Sequence, residues 1–206
     1  DDAGTFVDPS AGVAMAFRRL AVMDLSVAGH QPMATRDGRV VLTFNGEIYN
    51  HAELRRTLTA RGWRPRGSGD TEVLVEAVAR WGLAGALERV VGMFAIAAWD
   101  RGTHTLSLAR DRLGEKPLHV ARVGRRVLWA SEVGAIDAGV PGLTIDRGSL
   151  RAYLRFGYVP APRTIFEEVA VVEPGTIWTV RRDRVREPTV RRYWSLAEAV
   201  RAARAE

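Results

Sequence analysis

At 206 residues, 47% apolar and 26% charged, the chain is long enough to bury a sizeable core and ordinary in composition for a soluble globular protein. It contains no cysteine, which excludes a disulfide framework and a thiolate metal site, and no apolar run reaches the ~20 residues of a bilayer span. The formal charge of +6 comes from arginines interleaved with acids, Lys116 being the single lysine. A phosphate-binding track would cluster on one face, so neither nucleic acid nor a membrane is expected as a partner, and a cytoplasmic location is.

In chain order, Gly4 to Val7 reads as a strand fragment followed by a turn at Asp8-Pro9-Ser10-Ala11-Gly12. Val13 to Asp24 is mostly apolar and reads as a buried strand with Arg18 and Arg19 in its middle. Buried arginine is costly unless paired, so one of the two should face a carboxylate, of the protein or of a ligand. His30 has no partner at metal-ligand spacing and reads as structural.

Val40 to Phe44 is β-branched and aromatic, hence a strand, expected to end at Asn45-Gly46. Two readings stand there. Asn-Gly is a common turn dipeptide, and it also sets an amide side chain beside an unencumbered backbone N–H, two donors able to hold an oxyanion. A helix from Asn50 to about Ala60 follows, with Asn50 as N-cap, Glu53 closing a capping box, and Leu54 and Leu58 on one face. Ser68-Gly69-Asp70-Thr71-Glu72 introduces a second helix, with stripe Leu74, Ala77, Val78 and Trp81, ending at Gly82. Asp70 fits its N-cap, and such an aspartate can also bind a substrate ammonium if an oxygen is spare.

From Gly92 the pattern becomes hairpins: Met93 to Trp99, Thr105 to Ala109, Leu118 to Arg122 and Arg126 to Ala130, with a turn at Asp111 to Gly114. Asp146 caps a short helix through Arg155, and residues 176–180 and 184–190 make one more hairpin. The tail from Trp194 is an Ala- and Arg-rich helix. Strands, two helices and a run of antiparallel strands point to an α+β domain with layered sheets.

The succession Arg18-Arg19-Leu20-Ala21-Val22-Met23-Asp24-Leu25-Ser26, Ala28-Gly29-His30-Gln31-Pro32-Met33, Phe44-Asn45-Gly46-Glu47-Ile48-Tyr49-Asn50 and Gly69-Asp70-Thr71-Glu72 continues through Gly92-Met93-Phe94-Ala95. Ala109-Arg110-Asp111-Arg112-Leu113-Gly114-Glu115-Lys116-Pro117-Leu118, Ala130-Ser131-Glu132 and Phe156-Gly157-Tyr158-Val159-Pro160-Ala161-Pro162 complete it. This order resembles the glutaminase half of glutamine-hydrolysing asparagine synthetases, a class II amidotransferase domain. The resemblance implies an N-terminal-nucleophile fold, a four-layer αββα sandwich of antiparallel sheets that hydrolyses glutamine. The ammonia would pass to a C-terminal synthetase domain, which would amidate aspartate or a related acid. Arg19 would grip the glutamine α-carboxylate and Asp70 its α-ammonium. The backbone around Val22, Met23 and Glu47 would complete the pocket, and the Asn45 side chain with the Gly46 N–H would form the oxyanion hole. No cofactor is implied in this domain; ATP and magnesium would belong to the synthetase domain. The domain is expected over residues 1–192, with 193–206 opening a linker, and a homodimer is compatible with the pattern.

One departure is large. The family nucleophile is an N-terminal cysteine, and no serine here has a paired base that could replace it. The beginning resembles the family just after its first helix, so the fold is expected to be incomplete at the N-terminus and the chain inactive alone. The other reading is a non-catalytic glutamine-binding or scaffold domain.

Overall fold

The computed structural model describes residues 2–20, 24 and 26–205. The chain opens with a hairpin, β1 (Asp2–Asp8) and β2 (Val13–Arg19), paired from Asp2↔Arg19 to Asp8↔Val13. A two-residue strand β3 (Met33–Ala34) and the long β4 (Val40–Ile48) follow, then α1 (His51–Ala60) and α2 (Asp70–Leu87). The meander β5 (Gly92–Asp100), β6 (Thr105–Arg110), β7 (His119–Val123) and β8 (Arg126–Ala130) leads into α3 (Val133–Gly139) and α4 (Arg147–Phe156). The chain closes with β9 (Val169–Val171), β10 (Thr176–Arg181), β11 (Thr189–Arg192) and α5 (Leu196–Ala203).

The strands form a six-stranded sheet in the order β11-β10-β6-β5-β4-β3, the β1-β2 ribbon, and a three-stranded sheet β8-β7-β9. Every described pairing is antiparallel. Period-two alternation explains the layering. On β4 the even-numbered side chains Val40, Leu42, Phe44 and Ile48 pack with Leu54, Leu58, Leu74 and Ala77 of the helices. The odd-numbered Val41, with Ala95, Ala97 and Trp99 of β5, packs instead against Met15 of β2, Val120 of β7 and Leu118 just before β7. On the far side of those sheets Ile136 of α3 meets Ala121 and Val169. Helices, large sheet, small sheets and helix make the αββα sandwich expected from the motifs.

Asp8 fastens the ribbon to the large sheet. It is 6% exposed and accepts bonds from Trp99 Nε1 at 3.3 Å, Arg101 Nε at 3.2 Å and Ser10 Oγ at 2.6 Å. The ribbon is otherwise thinly covered. Only Met15 of β2 is buried, so the continuous buried strand expected over 13–24 is instead a half-exposed one ending at Arg19.

Other local expectations change for identifiable reasons. Asn45-Gly46 is not a turn: β4 runs through it to Ile48, with Asn45 opposite Ala95 and Gly46 opposite Phe94. Ladder pairing overrides the dipeptide's turn preference, and glycine serves close approach, since a Cβ at 46 would collide with the Met93 carbonyl. Asn50 does not cap α1 through its side chain; its amide spans Arg89 O and Val91 N instead, and no capping box forms. The N-cap of α2 is Gly69, with Asp70 the first helical residue; Gly82, at φ 68° and ψ 166°, interrupts the helix where the sequence expects it to end, and a second short helical stretch carries the run on to Leu87. Strand β11 begins at Thr189, later than the expected 184, because Arg182–Arg184 forms a 3-10 turn. Helix α3 and strands β3 and β9 were not expected. Among the described residues no helix is long and apolar enough to cross a membrane.

Trp99→Ala removes the largest fully buried side chain and one of the donors to buried Asp8. A loss of about 3–5 kcal/mol is expected, read as a lowered urea midpoint with little change in slope.

Candidate active site

The outer edge of β4 carries the site. Antiparallel pairing sends the N–H and C=O of alternate residues to opposite edges. Phe94 of β5 turns its N–H to Asp111 Oδ2 and its C=O to Asp111 N, away from β4. Gly46, its register partner, therefore turns its own N–H away from β5, as do Phe44 and Ile48. The Phe44 N–H is taken by Gln31 Oε1 at 2.7 Å, and the Phe44 carbonyl accepts Gln31 Nε2 at 3.1 Å. The Ile48 N–H is taken by Asp70 Oδ2 at 2.9 Å. Between them the Gly46 N–H has no partner among the described residues.

Asn45 faces the inter-sheet layer, and its Nδ2 stands 3.5 Å from Ser131 Oγ, just past β8. It also lines a cavity of about 400 Å³ between β2 and β8, floored by β4 and β5. β2 pairs with β1 and β8 with β7, so their other edges border this cavity without pairing to each other. The alternation turns the backbone of Glu47 toward Met93, so Glu47 has its side chain, and not its backbone, to offer a pocket. Val22 and Met23 lie outside the described residues.

Arg19, half-buried at the end of β2, donates to the backbone carbonyl of Asp24. Among the described residues neither Arg18 nor Arg19 meets a carboxylate, so no protein acid is seen answering the expected pairing. Asp70 is 4% exposed and spends one oxygen on Ile48, leaving the second without a described partner. The expectation that it caps α2 gives way to a tie between helix and strand.

These residues meet in one region. Arg19 bonds Asp24; the Asp24 carboxylate bonds Ser68 N and Gly69 N; Asp70 follows directly and bonds Ile48, two residues beyond Gly46. Asp24 is held well below the usual carboxylate range, first by the hydroxyl and amide of Ser26, then by the amides of Ser68 and Gly69. Asp24, Gln31 and Ser131 were not singled out from sequence, although each falls within a quoted motif. His30 pairs with Asp2 at 2.6 Å, in keeping with a structural role. Among the described residues no group of three or more His, Asp or Glu side chains is placed to hold a metal ion. Chemically, the arrangement offers a cation in no ion pair among the described residues, an acid with one oxygen lacking a described partner, and two donors at a strand edge.

The family model described as "Glutamine amidotransferase domain" matches residues 1–194. Asparagine synthetase [glutamine-hydrolyzing] 1 of Bacillus subtilis is 38% identical over 183 residues, covering 89% of this chain and 28% of that protein. A putative asparagine synthetase [glutamine-hydrolyzing] of Mycobacterium bovis is 36% identical over 206 residues, covering 94% of this chain and 31% of that protein. The chain thus spans about three tenths of the length of these relatives. Among solved structures, the glutamine phosphoribosylpyrophosphate amidotransferase of B. subtilis superposes with a TM-score of 0.63 at 20% identity, over 88% of this chain and 35% of that one. At that identity the likeness concerns the fold. With its motifs and sandwich both accounted for, the chain belongs to the class II glutamine amidotransferase domain family.

Proposed function

We propose that this chain is the glutaminase portion of an asparagine-synthetase-like amidotransferase, hydrolysing glutamine to glutamate and ammonia. The ammonia would serve ATP-dependent amide formation on aspartate or a related acid. The observation that carries the reading is the Gly46 N–H, aimed outward between two N–H groups already taken by Gln31 and Asp70. An amide carbonyl oxygen placed there meets Gly46 N–H, with Asn45 Nδ2 on the adjoining face.

In this reading Arg19 holds the α-carboxylate, its fork already steadied by the Asp24 carbonyl. Asp70 offers its second oxygen to the α-ammonium. A cysteine thiolate, brought by polypeptide outside these 206 residues, attacks the side-chain amide carbon. The carbonyl oxygen becomes an alkoxide that Asn45 and Gly46 stabilise. The C–N bond then breaks, the nitrogen leaves as ammonia after protonation, and water hydrolyses the thioester to glutamate. The cavity between β2 and β8, with Asn45 and Ser131 at its lining, is the seat assigned to the nucleophile's strand. ATP and magnesium belong, in this reading, to the synthetase part of the parent protein, with α5 leading into the linker from residue 193. The absence of cysteine favours one other reading, a domain that binds glutamine without cleaving it.

The 206-residue chain incubated with glutamine is expected to release no glutamate above buffer; measurable turnover would refute the need for an outside nucleophile. In the cysteine-bearing parent protein, Asn45→Ala is expected to lower glutaminase kcat by about 100-fold or more. An unchanged kcat would remove Asn45 from the oxyanion hole.

A further inference from the structure

The glutamine clamp proposed above needs Arg19 and Asp70 at one fixed separation, although they belong to different elements. Arg19 ends a strand of a thin, half-exposed ribbon, and Asp70 begins a helix on the other side of the large sheet. One buried residue touches the mountings of both.

We infer that Asp24 is the positioning residue of that clamp, setting Arg19 and Asp70 relative to each other without itself touching the substrate. The inference rests on the glutaminase reading. Asp24 is 6% exposed, and both of its carboxylate oxygens are consumed. Oδ1 accepts from Ser26 N at 2.9 Å and Ser26 Oγ at 2.6 Å. Oδ2 accepts from Ser68 N at 2.9 Å, Ser68 Oγ at 3.2 Å and Gly69 N at 3.2 Å. The backbone carbonyl of the same residue receives the Arg19 guanidinium, which lies against Gly29 so closely that a Cβ there would collide with it.

All of the carboxylate's described partners are neutral donors, so a full negative charge is stabilised here by dipoles alone. An asparagine would present N–H groups to Ser26 or to the Ser68–Gly69 pair, and one side of the joint would open. The loop before Asp70 is immobilised from its other sides as well. Arg55 donates to the carbonyls of Gly67 and Gly69 at 2.8 and 2.9 Å. Buried Glu72 accepts from Arg66 N at 2.7 Å and Gly67 N at 2.9 Å. Gly67 is required by the approach itself, since a Cβ there would sit 2.7 Å from Asp24 Oδ2. Asp70 is therefore delivered by a braced loop, and among the described residues Asp24 is the one that hydrogen-bonds this loop while its own carbonyl carries Arg19; Ala28 and Gly29 pack alongside, against Gly67 and the Arg19 guanidinium.

The test uses the full-length parent protein with its cysteine nucleophile, as wild type, Asp24→Asn, and a Ser26→Ala/Ser68→Ala double variant that keeps the backbone donors. In Asp24→Asn the KM for glutamine is expected to rise about 10- to 100-fold, with kcat within about threefold of wild type. The double variant should shift KM the same way by a smaller factor, and it carries the test if Asp24→Asn does not fold. Alkylation of the nucleophile by iodoacetamide, which has neither α-group of glutamine, should keep its wild-type rate. The glutamine concentration giving half-protection against alkylation should rise in step with KM. Unchanged KM in both variants overturns the inference, as does a fall in kcat and alkylation rate together at constant KM, the mark of a general structural defect. No glutamine hydrolysis by the wild type overturns the functional reading and this inference with it; hydrolysis without the KM shift overturns the inference alone.

Discussion

The site depends on the parity of one strand. Along β4 every second peptide turns away from β5, and the protein treats three successive outward N–H groups differently. Phe44 is closed by the Gln31 side chain, which supplies both acceptor and donor as a neighbouring strand would. Ile48 is closed by Asp70. Gly46, between them, keeps its donor for an acceptor other than a described residue. An unsatisfied N–H costs little in water, but about 1–3 kcal/mol once a ligand covers it without answering it. A pocket built over this edge therefore favours ligands that place an oxygen there.

The buried acids differ in how completely the protein answers their charge. Most buried acids here that hold the fold are answered by arginine or by several donors: Asp8 by Arg101 and Trp99, Glu72 by Arg66 and two amides. Asp111, fully buried, gathers the amides of Phe94, Leu113, Glu115 and Lys116 and so braces the register of β5 beside β4. Asp70 and Arg19 differ. One acid receives a single described N–H, and one guanidinium rests on a carbonyl. Both keep the capacity to bind an opposite charge, and an α-amino acid carries one of each.

Much of the architecture was legible because it follows from periodicity. The strands β5, β6 and β8, the stripe of α1 with Leu54 and Leu58, and the Asp146 cap of α4, bonded to Gly148 N, appear in the structure as the residues suggest. Asn45-Gly46 misled because dipeptide preference is local, whereas nine residues of pairing to β5 are not. Asp70 misled for a related reason: a helix-start aspartate was spent on another element's N–H, a choice visible only in three dimensions. The long-range bonds of Gln31, Asp24 and Ser131 had no local signature, although Asp24 also makes a local turn with Ser26. A buried glutamine that mimics a strand, or an aspartate that gathers amides from a loop more than forty residues away, leaves no periodic trace.

Gly46 shows why fold and site are hard to separate here. A side chain at that position would strike the Met93 carbonyl and the Phe94 backbone, so β4 could approach β5 only by shifting. That shift would move the outward N–H and, through the adjoining peptide, the Asn45 amide that stands near Ser131. It would also pull on Ile48 and through it on Asp70. The close contact that seats β4 in the large sheet thus also aims its donors. A substitution there would damage packing and the outward donor together, whereas a change at Asp24, outside the sheet, would disturb the proposed clamp while leaving the strand register intact.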